Sequence, residues 1–156
     1  MPPRSVVKLE LDETEALEHD LVVEAEYWTG ASTIHRMMTH LVWCPKYRRR
    51  VLQGEIAGRL YGLFRQAAEM NEWKIHEISI QKDHVHMLIQ TKVAERISDV
   101  VQIMKGGTSR VIRLEHPELE EFLWGDSFWA DGYFAESVGR VNEKKIREYI
   151  QNQTKA

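Results

Sequence analysis

Two runs with strand character, residues 74–80 and 84–90, are separated only by Gln81-Lys82-Asp83. So short a connection allows antiparallel pairing alone, because parallel neighbours need a crossover of roughly a dozen residues or more. That hairpin constrains any sheet this chain can build. Upstream, residues 38–44 read as a strand closed by Pro45, and residues 53–70 carry Ile56, Leu60, Leu63, Phe64 and Ala67 at helical spacing. Downstream, Ile97, Val100, Val101, Met104, Val111 and Ile112 repeat that spacing over residues 95–113. A last strand at 133–138 precedes a helix from Asn142, a good capping residue type.

The order is strand, helix, strand, strand, helix, strand, then a terminal helix. Its first six elements match a split βαβ arrangement, so the expected fold is α+β and ferredoxin-like: an antiparallel sheet with two helices on one face and a C-terminal helix besides. Gly54, Gly58 and Gly62 recur every four residues in the first helix, which suggests close packing there. Gly106-Gly107 interrupts the second, which either bends or admits a close approach to its backbone. The aromatic, turn-rich stretch from Trp124 to Gly132 is expected to cover one end of the core.

At 156 residues, one domain is expected, comprising residues 37–156, behind an N-terminal extension of residues 1–36. In the extension Val7, Leu9 and Leu11 alternate with charged residues, and a second alternation runs from Val23 to Tyr27. The extension is either an added hairpin or an acidic arm, with Glu13–Glu18 a short helix or loop and Gly30-Ala31-Ser32 a hinge. The overall charge of -3 hides an asymmetry: -5 in residues 1–36 against +2 in the remainder. A mildly basic body permits a nucleic-acid partner. No apolar run reaches transmembrane length and no signal peptide opens the chain, so a cytoplasmic location away from membranes is expected. The single cysteine, Cys44, lies in an apolar run and is expected to pack rather than react.

Three groups of residues carry chemistry. His84 and His86 flank Val85 within a strand, so both imidazoles share a face and can hold one divalent metal between them. If Val85 turns inward, they stand on the sheet face that the two helices leave open. Lys46-Tyr47-Arg48-Arg49-Arg50 is the strongest basic cluster, suited either to a solvated loop or to phosphates and a stacked base. In the last helix Tyr149 and Gln153 are four residues apart and share a face, beside the apolar positions Ile146 and Ile150. A phenol, an amide oxygen and two imidazoles together make a metal site with a nucleophile beside it. Lys105, Arg110 and Arg113 lie on the polar side of the second helix, and Trp129 is either a base platform or core.

The His84-Val85-His86 strand, preceded by Lys82-Asp83, resembles the histidine–apolar–histidine (HUH) motif of single-strand DNA nucleases and transposases. Thr39 to Arg48, Gly132 to Gly139 and Ile146 to Gln153 resemble further segments of the small single-tyrosine transposases of bacterial and archaeal insertion sequences. The likeness covers residues 38–153 in four ordered blocks. It implies Tyr149 as the nucleophile, with His84, His86 and Gln153 as ligands of Mg²⁺ or Mn²⁺. It further implies cleavage and rejoining of single-stranded DNA through a 5′-phosphotyrosine, after recognition of hairpins at the element ends. Lys46 to Arg50, Lys105, Arg110 and Arg113 become the candidate DNA contacts, and the partner is a homodimer in which the tyrosine helix can serve the other subunit. The competing expectation is a non-catalytic, domesticated hairpin-binding module.

Overall fold

The computed structural model describes the backbone of residues 5–10, 24–29, 34–35 and 37–155. Residues 1–37 form one compact unit and residues 38–156 another. In the first, β1 (Ser5–Glu10), β2 (Glu24–Thr29) and β3 (Ile34–His35) make an antiparallel sheet in that order. The expected short helix or loop at 13–18 and the hinge at 30–32 lie outside the described residues.

The second sheet contains β4 (Met37–Trp43), β5 (Lys74–Gln81), β6 (His84–Thr91) and β7 (Phe134–Ser137), in the spatial order β5-β6-β4-β7. Helix α1 (Gly54–Met70) links β4 to β5, and α2 (Ile97–Glu115) with the short α3 (Glu120–Leu123) lies between β6 and β7. A final helix, α4 (Arg140–Lys155), follows β7. The architecture is the α+β arrangement expected from the order of elements, with the two-residue turn at Lys82-Asp83 closing an antiparallel hairpin.

Strand alternation divides the buried side chains between two faces. Val85, Met87 and Ile89 of β6 and Leu41 and Trp43 of β4 join Leu60 and Phe64 of α1 and Val101, Met104 and Ile112 of α2 in the main core. Each fully buried aliphatic or aromatic side chain of this kind contributes roughly 1.5–3 kcal/mol. The other face is covered by α4, where Leu88 meets Met38, Val138 and Ile150, with Ile146 packed against them. Val85 therefore turns inward, and His84 and His86 share the opposite face with Leu88.

Two expectations about glycines fail. The helix α2 runs unbroken through Gly106-Gly107, and nothing lies within 4 Å of a Cβ built at Gly58, Gly62, Gly106 or Gly107. These glycines face outward, so their spacing reflects no close packing within the described residues. Trp129 is core: it is buried against Trp43, Phe64 and Phe128, and its indole N–H donates to Thr108 Oγ1 at 3.0 Å. No helix among the described residues is long and apolar enough to cross a membrane.

Candidate active site

Three neighbouring strands deliver a row of polar side chains to the α4 face of the sheet. His86 comes from the centre of β6, His40 from adjacent β4, and Glu136 from β7, where it sits directly opposite His40 in the strand register. The His40 and His86 rings stack at 5.4 Å between centroids, 14° from parallel. His84 meets His86 edge-on, with centroids 4.8 Å apart. Tyr149 from α4 closes the group: its ring centroid is 5.4 Å from that of His86 and 6.1 Å from that of His40. Gln153 is half-buried one helical turn beyond Tyr149.

The ring nitrogens are already partly committed. His84 Nδ1 bonds Asp83 Oδ1 at 2.7 Å, and that bond chiefly holds the Asp83 carboxyl below its usual range. His86 Nδ1 bonds His40 Nε2 at 3.2 Å, and His40 Nδ1 bonds Glu136 Oε1 at 2.9 Å. Burial, then the neighbouring His84 and His40, push the His86 imidazole down to about 4, so it is neutral at physiological pH. A neutral imidazole is the form that binds a metal. The donor set fits one: the Nε2 atoms of His84 and His86 are the nitrogens not used by these bonds, and the Gln153 amide is an oxygen donor. Among the described residues, no cluster of three or more His, Cys, Asp or Glu forms a metal site by itself. A cation here would therefore draw further ligands from the amide, a phosphate or water.

What brings Tyr149 to the histidines is the docking of α4. Ile150 is completely buried, while Tyr149, one residue earlier on the helix, is 48% exposed at the edge of the site. A bulge in β5 between Ile75 and Glu77 inserts one extra residue opposite β6. It brings the consecutive residues His76 and Glu77 within reach of Arg147 on α4. Arg147 Nη2 donates to His76 Nδ1 at 2.8 Å, and Nη1 lies 3.8 Å from Glu77 Oε1. Gln151 donates to Glu77 at 2.8 Å and Thr154 to Ser79 at 3.0 Å, which secures the rest of the helix.

His76 makes this docking sensitive to acid. Its Nδ1 accepts from Arg147 and its Nε2–H donates to Gln90 Oε1 at 2.8 Å, so a second proton would cost the Arg147 bond. Burial, reinforced by Arg147 and Lys74 and opposed by Gln90 and Glu143, lowers its pKa to about 4. The unfolded chain takes up this proton near pH 6.5. Acidification from about 6.5 towards 4 therefore favours the unfolded state, and the stabilising contribution is complete only above that window. The melting-temperature difference between wild type and His76→Gln should shrink on going from pH 7 to pH 4.5. An unchanged difference would remove His76 from the acid response.

The family described as "Transposase IS200 like" matches residues 33–153. The chain belongs to the IS200-like transposase family. It is 32% identical over 133 residues to the ISDra2 transposase TnpA of Deinococcus radiodurans, covering 85% of this chain and 95% of that one. It is 31% identical over 114 residues to the transposase for insertion sequence element IS200 of Salmonella typhimurium, covering 73% and 74%. The crystal structure of a D. radiodurans protein described as a transposase superposes with a TM-score of 0.67 at 30% identity, over 80% of this chain and 96% of that one. At 10% identity, the structure of a REP-associated tyrosine transposase bound to a REP hairpin shares the fold alone, with a TM-score of 0.60 over 80% and 72% of the two chains.

In this IS200-like transposase the sequence-derived basic residues do not form one uniform surface. Tyr47 and Arg48 adopt positive φ angles of 61° and 49°, a strained pair that turns the loop after β4. Tyr47 donates its hydroxyl hydrogen to Asp126, and Arg48 donates to Asp83 Oδ2 at 3.3 Å, which links the basic loop to the carboxylate behind His84. Lys46 and Arg49 lie over the Tyr47 ring, and Arg49 also over Phe122. Arg50 and Arg110 are exposed. Arg113 pairs with Glu120 and donates to the Asp126 carbonyl. Lys105 donates to the carbonyls of Ala130 and Gly132, at 2.9 and 2.6 Å, and so braces the segment entering β7. Burial lowers its pKa, with Asp131 opposing.

Sequence reasoning named neither His40 nor Glu136 as site residues. Alternation alone puts His40 on the face opposite Leu41 and Trp43, which was a usable signal. That Glu136 stands opposite His40 is a fact of strand register, invisible in the sequence.

Proposed function

We propose that this IS200-like transposase cuts and rejoins single-stranded DNA with Tyr149 as the nucleophile and a divalent cation held by His84, His86 and Gln153. The observation that carries the reading is the position of the Tyr149 ring, 5.4 Å from His86 and on the histidine face of the sheet. Mg²⁺ or Mn²⁺ bound there supplies Lewis acidity and orientation at the scissile phosphate. Tyr149 Oη forms the bond to phosphorus as the bond from phosphorus to the 3′ oxygen breaks. The phenol proton is balanced by the proton gained on the released 3′-OH. The 5′ end remains on the tyrosine until another 3′-OH reverses the attack, and the good leaving ability of a phenolate keeps that return step open. No external energy source is required, since one phosphodiester is exchanged for another of similar energy.

Hairpins at the element ends are the recognised DNA, in keeping with the family resemblance. Arg48, Arg49 and Arg50 are the leading phosphate contacts, with Lys46 and Tyr47 beside them and Arg110 and Arg113 as secondary ones. Lys105 would act on DNA through the segment it braces. The functional form is a homodimer in which the tyrosine helix can serve either subunit, residues 37–156 being the catalytic domain and 1–36 an appended extension.

Covalent capture tests the reading. Protein incubated with Mn²⁺ and labelled single-stranded DNA from the flanks of its own gene should give an adduct that survives denaturation, requires metal and is lost in His84→Ala. Tight hairpin binding without any adduct, at both element ends, would instead identify a binding module.

A further inference from the structure

The chain of hydrogen bonds behind His86 has a direction. Glu136 is nearly half exposed on β7, and a carboxylate can only accept. The His40 nitrogen 2.9 Å from it, Nδ1, must then carry the hydrogen. In a neutral His40 ring, Nε2 is left with a lone pair and can only accept. The atom 3.2 Å from that lone pair is His86 Nδ1, which must donate. His86 Nε2 is left bare, turned away from its neighbours in the relay.

We infer that His40 and Glu136 are positioning residues that fix the His86 tautomer, keeping its Nε2 lone pair free for the catalytic cation. The inference rests on the metal role proposed for His86 and extends it to two residues on other strands. His84 needs no such relay, because Asp83 occupies its Nδ1 directly at 2.7 Å. The two metal-facing imidazoles thus reach the same tautomer by different routes, one through an adjacent carboxylate and one through a carboxylate two strands away. A hydrogen-bond partner on the far nitrogen of a ligating histidine orients the ring and raises its basicity. Here that partner is itself a histidine, so the orientation depends on Glu136 at one remove. His40 is buried under Tyr149 and Phe134, which leaves its ring little room to turn over and reverse the chain.

The tautomer can be read without metal. In long-range ¹H–¹⁵N spectra of metal-free wild-type protein, His86 should carry its proton on Nδ1, with an unprotonated Nε2. Glu136→Gln, at an exposed strand position, should fold normally and lose the single Nδ1–H pattern. His40→Phe keeps a planar ring but removes the acceptor, and His86 should move to the Nε2–H form. Mn²⁺ affinity, followed by the loss of the free-ion electron paramagnetic resonance signal, should fall by about 10- to 100-fold in His40→Phe and less in Glu136→Gln. A wild-type His86 protonated on Nε2 would overturn the relay, as would unchanged His86 spectra in both variants. Failure of wild-type protein to bind Mn²⁺ would instead overturn the metal reading, while the tautomer spectra would still decide whether the relay exists.

Discussion

Tyr149→Phe is expected to abolish the covalent protein–DNA adduct and to reduce strand cleavage by on the order of 10³-fold or more, the scale on which removing a nucleophile acts. The substitution removes one oxygen and leaves the ring beside His40 and His86 in place. Packing of α4 depends on Ile146 and Ile150, which the change does not touch, so melting temperature and hairpin affinity should stay close to wild type. The comparison therefore separates chemistry from folding and binding. Other tyrosines are exposed, among them Tyr47 and Tyr133, so an adduct persisting in Tyr149→Phe would be mapped by peptide sequencing and would end the assignment.

The second large effect should come from a residue that touches no substrate. Ile150 is completely buried between Met38, Leu88 and Val138, and truncation to alanine at such a site costs about 2–5 kcal/mol. The polar ties of α4 are half-buried or exposed and would hold the helix less firmly alone. Ile150→Ala should therefore release α4 before the main core unfolds, seen as faster hydrogen exchange along residues 140–155 than in β6. Adduct formation should fall with the docked fraction although Tyr149, His84 and His86 are all intact. Equal exchange in wild type and variant would show that this contact does not hold the tyrosine helix.

Both predictions depend on how one helix meets one sheet face, and that meeting was only partly legible in the sequence. The His84-Val85-His86 alternation placed both imidazoles opposite Val85, and the structure has them there because Val85, Met87 and Ile89 are claimed by the main core. Leu88 faces α4, and because β6 is covered on both sides its continuous hydrophobic run hides that alternation. The β5 bulge did leave a trace: the apolar phase moves from Trp73 and Ile75 to Ile78 and Ile80. That one-residue slip is what puts His76 and Glu77 together under Arg147. The regularly spaced glycines pointed to close packing that the structure lacks, because spacing says which residues share a helix face and not what lies against it.

The α+β order of elements, the antiparallel hairpin, the helix periods and the family are legible in the chain alone, because these depend on local spacing and on motifs a few residues long. The line of His40 and Glu136 behind His86, and the laying of Tyr149 against them by α4, emerge only in the folded chain. His40 and His86 are separated by 46 positions in the chain and Glu136 by another 50. Contacts across such distances arise from strand order and side-chain packing, in which each residue's partner is set by every element that had to be buried first.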